Sequence, residues 1–405
     1  MALDTTALAA VLKQQYTQSK VNLLTYADNP FYAMIKKRTD FLGSNKVIAV
    51  RNAVNQSRSA QFSVANATPG QGVYNKFTIT RVKDYAVAEI TGEAIEASAK
   101  DAGALLAGLK SEIDGAIYVC MRSLATAMFR NGGGARGQIS ATSTVGTPTI
   151  TLANVTDITN FEVNMTLQVS VADGTSGAVR AGTVLVTGVD RDLGTITCSG
   201  NWTAGIAAAA AGDFIFQNGD FGLMLSGLSA WVPSVAPGAT PFFGLDRSSD
   251  VTRLAGIRYT AGAGGAIEET LIETAARLAR EGSKPDVAFL NPLDYSNLVK
   301  ALGAKVIYDR AMSVDMPDIG FEAVKLMGPK GAIKVIADLN CPKGSGYMLQ
   351  SNTWALETLN GAPRILDLDG QRMLRNSTAD SYQIRVGYYG QMSCEAPGFN
   401  AYFAI

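Results

Sequence analysis

The chain contains no histidine. That absence excludes a Ser–His–Asp triad, a Cys–His pair, an H-E-x-x-H zinc site and imidazole acid–base catalysis. Only carboxylate, lysine or tyrosine chemistry remains open to it. Charge is also scarce: Asp, Glu, Lys and Arg make up 17% of the residues, against about 25% in ordinary globular chains. The 35 basic and 35 acidic residues cancel, which argues against a dedicated nucleic-acid or anionic-membrane surface. The cysteines, Cys120, Cys198, Cys341 and Cys394, lie far apart with no C-x-x-C pair. Neither a zinc ribbon nor a redox dithiol is expected, and reduced thiols in a cytoplasmic setting are. Long apolar runs are missing as well. The run at residues 204–211 is made mostly of small residues and stops at Gly212-Asp213, too short and weak to span a bilayer. The first residues carry Asp4 and no basic stretch, so no secretory signal is expected there.

What is present is length and apolar mass. A chain of 405 residues with 47% hydrophobic content has room for two or three domains and a large core. Forty-one glycines and few charges suit a protein that covers its surface with copies of itself. The clearest local unit lies at residues 284–302, KPDVAFLNPLDYSNLVKAL. The short apolar run Val287 to Leu290 ends in Asn291-Pro292, a good N-cap followed by a favoured first helical residue. With a helix expected over 267–281, this is a helix–strand–helix unit. In open α/β sheets ligands bind where strands end and helices begin, so the unit is also the first place to look for a site.

Elsewhere the periodicity gives a sequence of elements. Residues 5–18 suit a short amphipathic helix, and Phe31 to Ile35 form an exposed-looking apolar cluster suited to an arm that docks on something else. Strands are expected at 46–52 and, with period-two alternation, at 75–90; joined by a polar excursion, they form an extended hairpin. Residues 91–130 carry apolar side chains at Ile95, Ala99, Ala102, Leu106, Leu109, Ile113, Ile117, Cys120, Leu124 and Met128. Spacings of three and four predict one long helix with Leu109 on its buried face. Gly103, Gly108 and Gly115 weaken it, and Arg130-Asn-Gly-Gly-Gly stops it. Residues 138–218 change character: rich in Thr, Val, Gly and Ala, with short strands at 165–171, 183–189, 195–199 and 213–217, they predict a small all-β insertion. Further strands are expected at 323–327, 333–337, 346–350, 354–359, 364–368, 372–375 and 382–392.

None of these places builds a site. The Gly-rich loop at 261–267 lacks the G-x-G-x-x-G spacing, with Ile267 where glycine is needed, and no G-K-[ST] follows. Asp294 falls at the third helical position, where a carboxylate favours the helix dipole, so a structural role suffices for it. Glu268, Glu269 and Glu273 lack a metal-ligand spacing, and Tyr388 and Tyr389 point to opposite faces of a strand. No catalytic, cofactor-binding or metal-ligating residue is expected.

The order of elements resembles the tailed-bacteriophage major capsid proteins of the Johnson, or Hong Kong 97-like, fold. The resemblance covers nearly the whole chain. Residues 1–45 resemble the N-terminal arm and 46–90 the E-loop hairpin. Residues 91–137, opening with ITGEAIEASAKD, resemble the spine helix of the peripheral domain. Residues 219–353, with GLSAWV and KPDVAFLNPLDYSNL, resemble the axial domain, and 354–405 the peripheral-domain strands, with GFNAYFAI returning to the axial domain. The all-β segment 138–218 departs from the minimal fold as an insertion domain. The resemblance implies an α+β fold and a structural, non-enzymatic subunit that self-assembles into pentamers and hexamers. Such a shell is icosahedral, encloses a double-stranded DNA phage genome and is assembled in the host bacterial cytoplasm. It implies a portal, separate scaffolding or decoration proteins, non-specific DNA on the inner face, no membrane and no cofactor. The scaffolding segment of about 100 residues that often begins such chains is not seen before the arm, which implies a separate scaffold or none. Some members cross-link a hairpin lysine to an asparagine of a neighbour; here Lys46, Lys76 and Lys83 face Asn376 and Asn400 as the residues to consider. Polar surroundings of Lys76 and Lys83, and no glutamate near Asn376 in sequence, lead us to expect no cross-link. Two alternatives stand beside this reading: an encapsulin-like nanocompartment shell, and a carboxylate-dependent enzyme using the loop after Leu290.

Overall fold

The computed structural model describes residues 29–67, 69–93, 102–262, 265–302, 324–367, 370 and 373–405, with backbone alone for Asn52 and 102–111. The helix expected over 5–18 and the side chain of Leu109 lie outside the described residues. The first element among the described residues is helix α1 (Pro30–Met34), started by proline at its first turn. Its apolar cluster is not exposed. Phe31, Tyr32 and Ile35 are buried in the chain's own largest core. The Phe31 ring stands edge-on to Phe129 and Phe289, with centroids 5.3 and 5.2 Å away. Residues 30–35 therefore dock on the body of their own chain, where Phe31, Tyr32 and Ile35 join an aromatic core.

Strand β1 (Lys36–Arg38) follows. Strand β2 (Asn45–Ala53) and β3 (Val73–Thr80) form a two-stranded hairpin, with a register shift between Arg51 and Ala53. Between them lies a short helix, α2 (Phe62–Ala67). The single long strand expected over 75–90 is divided. The chain leaves the hairpin at Arg81, and β4 (Val82–Thr91) enters another sheet. Arg81 marks the turn, donating from Nη1 to Phe41 O at 2.9 Å with its guanidinium over the Phe41 ring. Helix α3 (Ala102–Phe129) is 28 residues long, about 42 Å at 1.5 Å per residue. Cys120, Leu124 and Met128 form its buried stripe, as the spacing predicts.

Residues after α3 build one six-stranded sheet from β5 (Gly137–Gln138), β6 (Thr149–Thr151), β7 (Thr166–Ser170), β8 (Val184–Asp190), β9 (Thr195–Cys198) and β10 (Phe214–Gln217), in the order β5-β10-β7-β8-β9-β6. The expected strands are there, and β8 and β9 pair across the 190–194 turn. The buried side chains under this sheet run from Ile139 to Ile215, around Trp202, and form a cluster of their own.

A second six-stranded sheet, in the order β11-β20-β15-β12-β14-β13, uses β11 (Ile257–Thr260), β12 (Val287–Leu290), β13 (Val324–Gly328), β14 (Gly331–Ala337), β15 (Ser345–Leu349) and the final strand, Ala401–Ala404, here β20. Helices α4 (Ile267–Arg280) and α5 (Pro292–Leu302) cover one face. In α4, Ile267, Leu271, Thr274 and Leu278 are buried, Glu268 and Glu269 sit in the first turn, and Arg277 and Arg280 in the last; both charge placements favour the helix dipole. All four residues of β12 are buried. Ala288 and Leu290 face the helices, while Val287 and Phe289 face the aromatic core beneath α1 and α3. A central strand covered on both faces has to be apolar throughout.

The third sheet combines β1, β4, β16 (Trp354–Thr358), β17 (Arg364–Ile365), β18 (Leu374–Arg375) and the 14-residue β19 (Ser381–Cys394). Strand β19 pairs with β4 along residues 381–390 and with β16 along 390–394. Tyr388 is buried and Tyr389 half-buried, on opposite faces.

Candidate assembly surfaces

At the strand end the polar side chains Asn291 and Asp294 are taken up in internal hydrogen bonds. Asn291 Oδ1 accepts from Leu293 N at 3.1 Å as a helix cap, and its Nδ2 donates to Cys341 O at 2.9 Å. Asp294 is buried and accepts from Gly344 N at 2.7 Å, pinning the 338–345 turn. Asp286 is bound by Ser351 through its backbone N–H and its hydroxyl. Glu273 pairs with Arg277 at 3.0 Å on the exposed side of α4. All four cysteines are free and buried. Burial pushes the thiols of Cys120, Cys198 and Cys394 up to about 12, and that of Cys341 well above the ordinary range, so they stay protonated and unreactive. Among the described residues no group of three or more Cys, Asp or Glu side chains is placed to hold a metal.

The hairpin is the conspicuous surface. Its root is anchored: Phe77 and Ile79 are fully buried, Phe77 stands edge-on to Trp231 at 5.1 Å, and Thr78 N donates to Phe243 O at 2.8 Å. Its distal half is bare. Helix α2 has no buried residue, Phe62 is 84% exposed and Tyr74 69%. A two-stranded hairpin is marginal in water, and among the described residues Phe62 is left largely uncovered while Tyr74 has the Arg51 guanidinium over its ring at 5.4 Å.

A buried carboxylate holds the hairpin's base. Glu357 on β16 is fully buried. Its Oε2 meets Lys46 Nζ at 2.7 Å, its Oε1 meets Arg38 Nη1 at 3.2 Å and accepts from Ser393 Oγ at 3.0 Å. Lys46 also reaches Asp40 at 3.3 Å, and Arg38 reaches Glu395 at 2.7 Å. One carboxylate thus ties the arm, the hairpin and two strands of the third sheet. Replacing Glu357 by Gln keeps the shape and removes the charge, leaving two cations facing a neutral amide. We expect about 2 kcal/mol lower stability, measured as a lower urea midpoint at unchanged slope; an unchanged midpoint would mean the charge is dispensable.

Internal contacts engage two of the lysine and asparagine positions weighed above. Lys46 is committed to Glu357. Asn400 is fully buried, donating to Ala396 O at 2.9 Å and Thr353 Oγ1 at 3.2 Å and accepting from Gln350 N at 3.0 Å and Trp354 Nε1 at 2.8 Å. Asn376, by contrast, has a glutamate beside it that sequence proximity could not reveal: its Nδ2 donates to Glu89 Oε1 at 3.1 Å, and Ser381 Oγ donates to the same oxygen. Lys76 and Lys83 are exposed.

The insertion sheet joins the body through a narrow neck. Arg130 meets Asp157 at 2.6 Å and Asn131 donates to Asp173 at 2.6 Å. Arg136 binds Asp220 at 3.1 Å and Ser123 at 3.3 Å. Burial raises the carboxyls of Asp220 and of Asp84 on β4, against the pull of Arg136.

Comparison with known proteins decides what this assembly of parts is. The model of the family described as SU10 major capsid protein matches residues 5–390, nearly the whole chain. The chain belongs to that family. No curated protein matches it. Among solved structures, the capsid subunit is similar to one from the Cyanophage A-1(L) capsid asymmetric unit, at 11% identity and TM-score 0.52, over 99% of this chain and 98% of that one. It is also similar to chains of the native GTA particle capsid (10% identity, TM-score 0.47, 97% and 92% covered) and of the holo-SrpI encapsulin complex from Synechococcus elongatus PCC 7942 (10%, 0.45, 100% and 96%). At such identities the likeness speaks to fold, and the capsid subunit has the mixed α+β, Hong Kong 97-like fold. It is a major capsid protein of a phage shell, a component of the virion. Among the described residues no helix is long and apolar enough to cross a membrane.

Proposed function

We propose that copies of this chain assemble as pentamers and hexamers into a closed icosahedral shell around a double-stranded DNA genome. The observation that carries this reading is the bare hairpin tip, with Phe62 84% exposed on a helix that buries nothing. A neighbouring copy supplies the cover, and contacts of this head-to-tail kind close rings. On this reading 1–45 is an arm, 46–90 the hairpin, 91–137 the spine, 219–353 the axial domain and 354–405 the peripheral strands. Residues 138–218 fold semi-independently, since their core is their own, and project from the outer surface. The shell works without catalysis or cofactor, assembles in the host bacterial cytoplasm, meets DNA non-specifically on its inner face, and pairs with a portal and with scaffolding or decoration proteins.

Phe62→Asp tests the reading. So exposed a residue should leave subunit stability within about 0.5 kcal/mol, while electron microscopy should show shells for the unaltered chain and unassembled subunits for the variant. Light scattering that finds stable monomers of the unaltered chain, with an ordered hairpin, would overturn it. We further expect a shell without covalent cross-links, because Lys46 and Asn400 are held in internal contacts and no apolar pocket of their own chain surrounds Lys76 or Lys83, which are exposed among the described residues. Particles boiled in detergent and reductant should run as one band near 42.6 kDa; a ladder of multimers would contradict this.

A further inference from the structure

Strand β14 ends at Ala337, and the next residue, Asp338, is 1% exposed. Its Oδ2 accepts from Phe31 N of the arm at 3.2 Å. Its Oδ1 accepts from Asn340 N at 2.9 Å and Asn340 Nδ2 at 3.0 Å. The Asn340 amide also donates to Asn29 Oδ1 at 3.0 Å, and Thr126 Oγ1 of α3 donates to Asn340 Oδ1 at 3.3 Å. The arm thus lies directly on a buried carboxyl, with the Phe31 ring wedged between Phe129 and Phe289 beside it.

The charged and titratable groups around this pocket are all engaged. Arg122 on α3 exerts its field on Asp338 but is hydrogen-bonded to Thr159 O at 2.7 Å. Arg130 is paired with Asp157, Asp294 on α5 with Gly344 N, and the Cys341 thiol is deeply buried and protonated. Helix α1 has no acidic residue in its first turn and no basic residue in its last, and Lys37 lies over the Tyr32 ring. Among the described residues Asp338 makes no ion pair.

We propose that Asp338 is a proton-operated latch for the N-terminal arm, which seats residues 29–35 more firmly when its carboxyl is protonated than when it is ionised. Ionised, it is a buried anion without a cation, and lifting the arm lets water reach it, which favours release. Protonated, it is neutral, its oxygens still accept from Phe31 N and Asn340, and no uncompensated charge is left in the pocket. Burial raises its carboxyl to about 6 from the ordinary 3.8, and an unseated arm returns it towards that ordinary value. The seated state therefore binds the proton more tightly. Its extra stability is fully present below about pH 4 and is lost as pH rises through about 6. The missing histidines make this legible in solution. No side chain of ordinary affinity titrates between pH 5 and 8 in a chain with none, so a transition near 6 belongs to a perturbed carboxyl.

Hydrogen exchange of the purified chain from pH 7.5 to 4.5, corrected for the intrinsic rate, tests this. Protection of the peptide covering 29–35 should rise about tenfold to a hundredfold on acidification, the rise setting in near pH 6 and continuing down to 4.5, and Asp338→Asn should abolish it. A flat or falling profile in the unaltered chain, or a transition that survives Asp338→Asn, overturns the proposal. If that variant does not fold, peptides of the insertion sheet decide: a rise confined to 29–35 upholds the latch, and the same rise throughout the chain overturns it.

Discussion

An alanine at Gly133 is expected to destabilise the capsid subunit by about 3 kcal/mol or more. A Cβ there would lie 2.1 Å from Asp173 O and 2.9 Å from Gly174 C, and one on Gly174 would lie 1.9 Å from Gly133 O. These are backbone atoms on both sides, so no side chain can swing away to make room. Gly174, at φ +91°, already has a backbone that suits glycine. Gly133 O also accepts from Gly222 N at 2.9 Å, so the chain entering the insertion, a loop inside it and the chain leaving it meet at one crossing. Moving any of the three displaces the others, together with the Arg136–Asp220 and Asn131–Asp173 contacts that flank them. Thermal unfolding should show Gly133→Ala melting lower by on the order of 3–4 °C. Gly146→Ala, in the same sheet region but with open space around its Cβ, should be close to neutral. Equal melting of the two variants would mean that the neck does not close this tightly.

That crossing shows where the sequence was legible and where it was not. Arg130-Asn-Gly-Gly-Gly is a sound helix stop, since α3 ends at Phe129. Its second role depends on Asp173 and Gly222, tens of residues away, and no local pattern encodes such a meeting. Elements with strong local grammar came through: the Asn291-Pro292 cap with its strand and helix, and the β8–β9 turn; the place of 401–404 beside β15 had only the family resemblance behind it. The alternation over 75–90 failed to reveal the break at Arg81, because both halves are strands and only their partners differ. Phe31 to Ile35 looked exposed because the aromatic slot that receives them is assembled from α3 and β12. Glu89 beside Asn376, and Asp338 beneath Phe31, are likewise contacts between residues about 290 and 310 apart. The exposed hairpin was legible in outline, since a polar, two-stranded excursion cannot bury itself. The carboxylates that fix its base and the arm were not, because buried Glu357 and Asp338 sit in segments that read as ordinary strand and turn.

Truncating Trp231 to alanine should have an effect of comparable size, and a distinguishable one. The residue lies in the GLSAWV phrase on a short helix, Leu228–Trp231, and is fully buried. Its indole stands edge-on to Phe77 of β3 and Phe242 at 5.1 Å each, and to Trp354 of β16 at 6.5 Å. Its Nε1 donates to Met392 O of β19 at 3.2 Å. One side chain therefore joins the hairpin's root to the third sheet. A buried Trp→Ala change costs about 3–5 kcal/mol, and the Met392 carbonyl, left without that donor, adds to the loss. Against a total of about 5–15 kcal/mol, the variant should be only marginally folded. Trp231→Phe keeps much of the ring packing and forfeits the hydrogen bond, so about 1–2 kcal/mol is expected. The loss should be directional. Phe77 holds the hairpin to the body through this indole, so exchange in residues 73–80 should accelerate more than in 287–290, which is clamped between β14 and β15. Equal acceleration in both segments would show that Trp231 supports the core as a whole and has no special hold on the hairpin, whereas unchanged exchange at 73–80 would show that Phe77 is anchored without it.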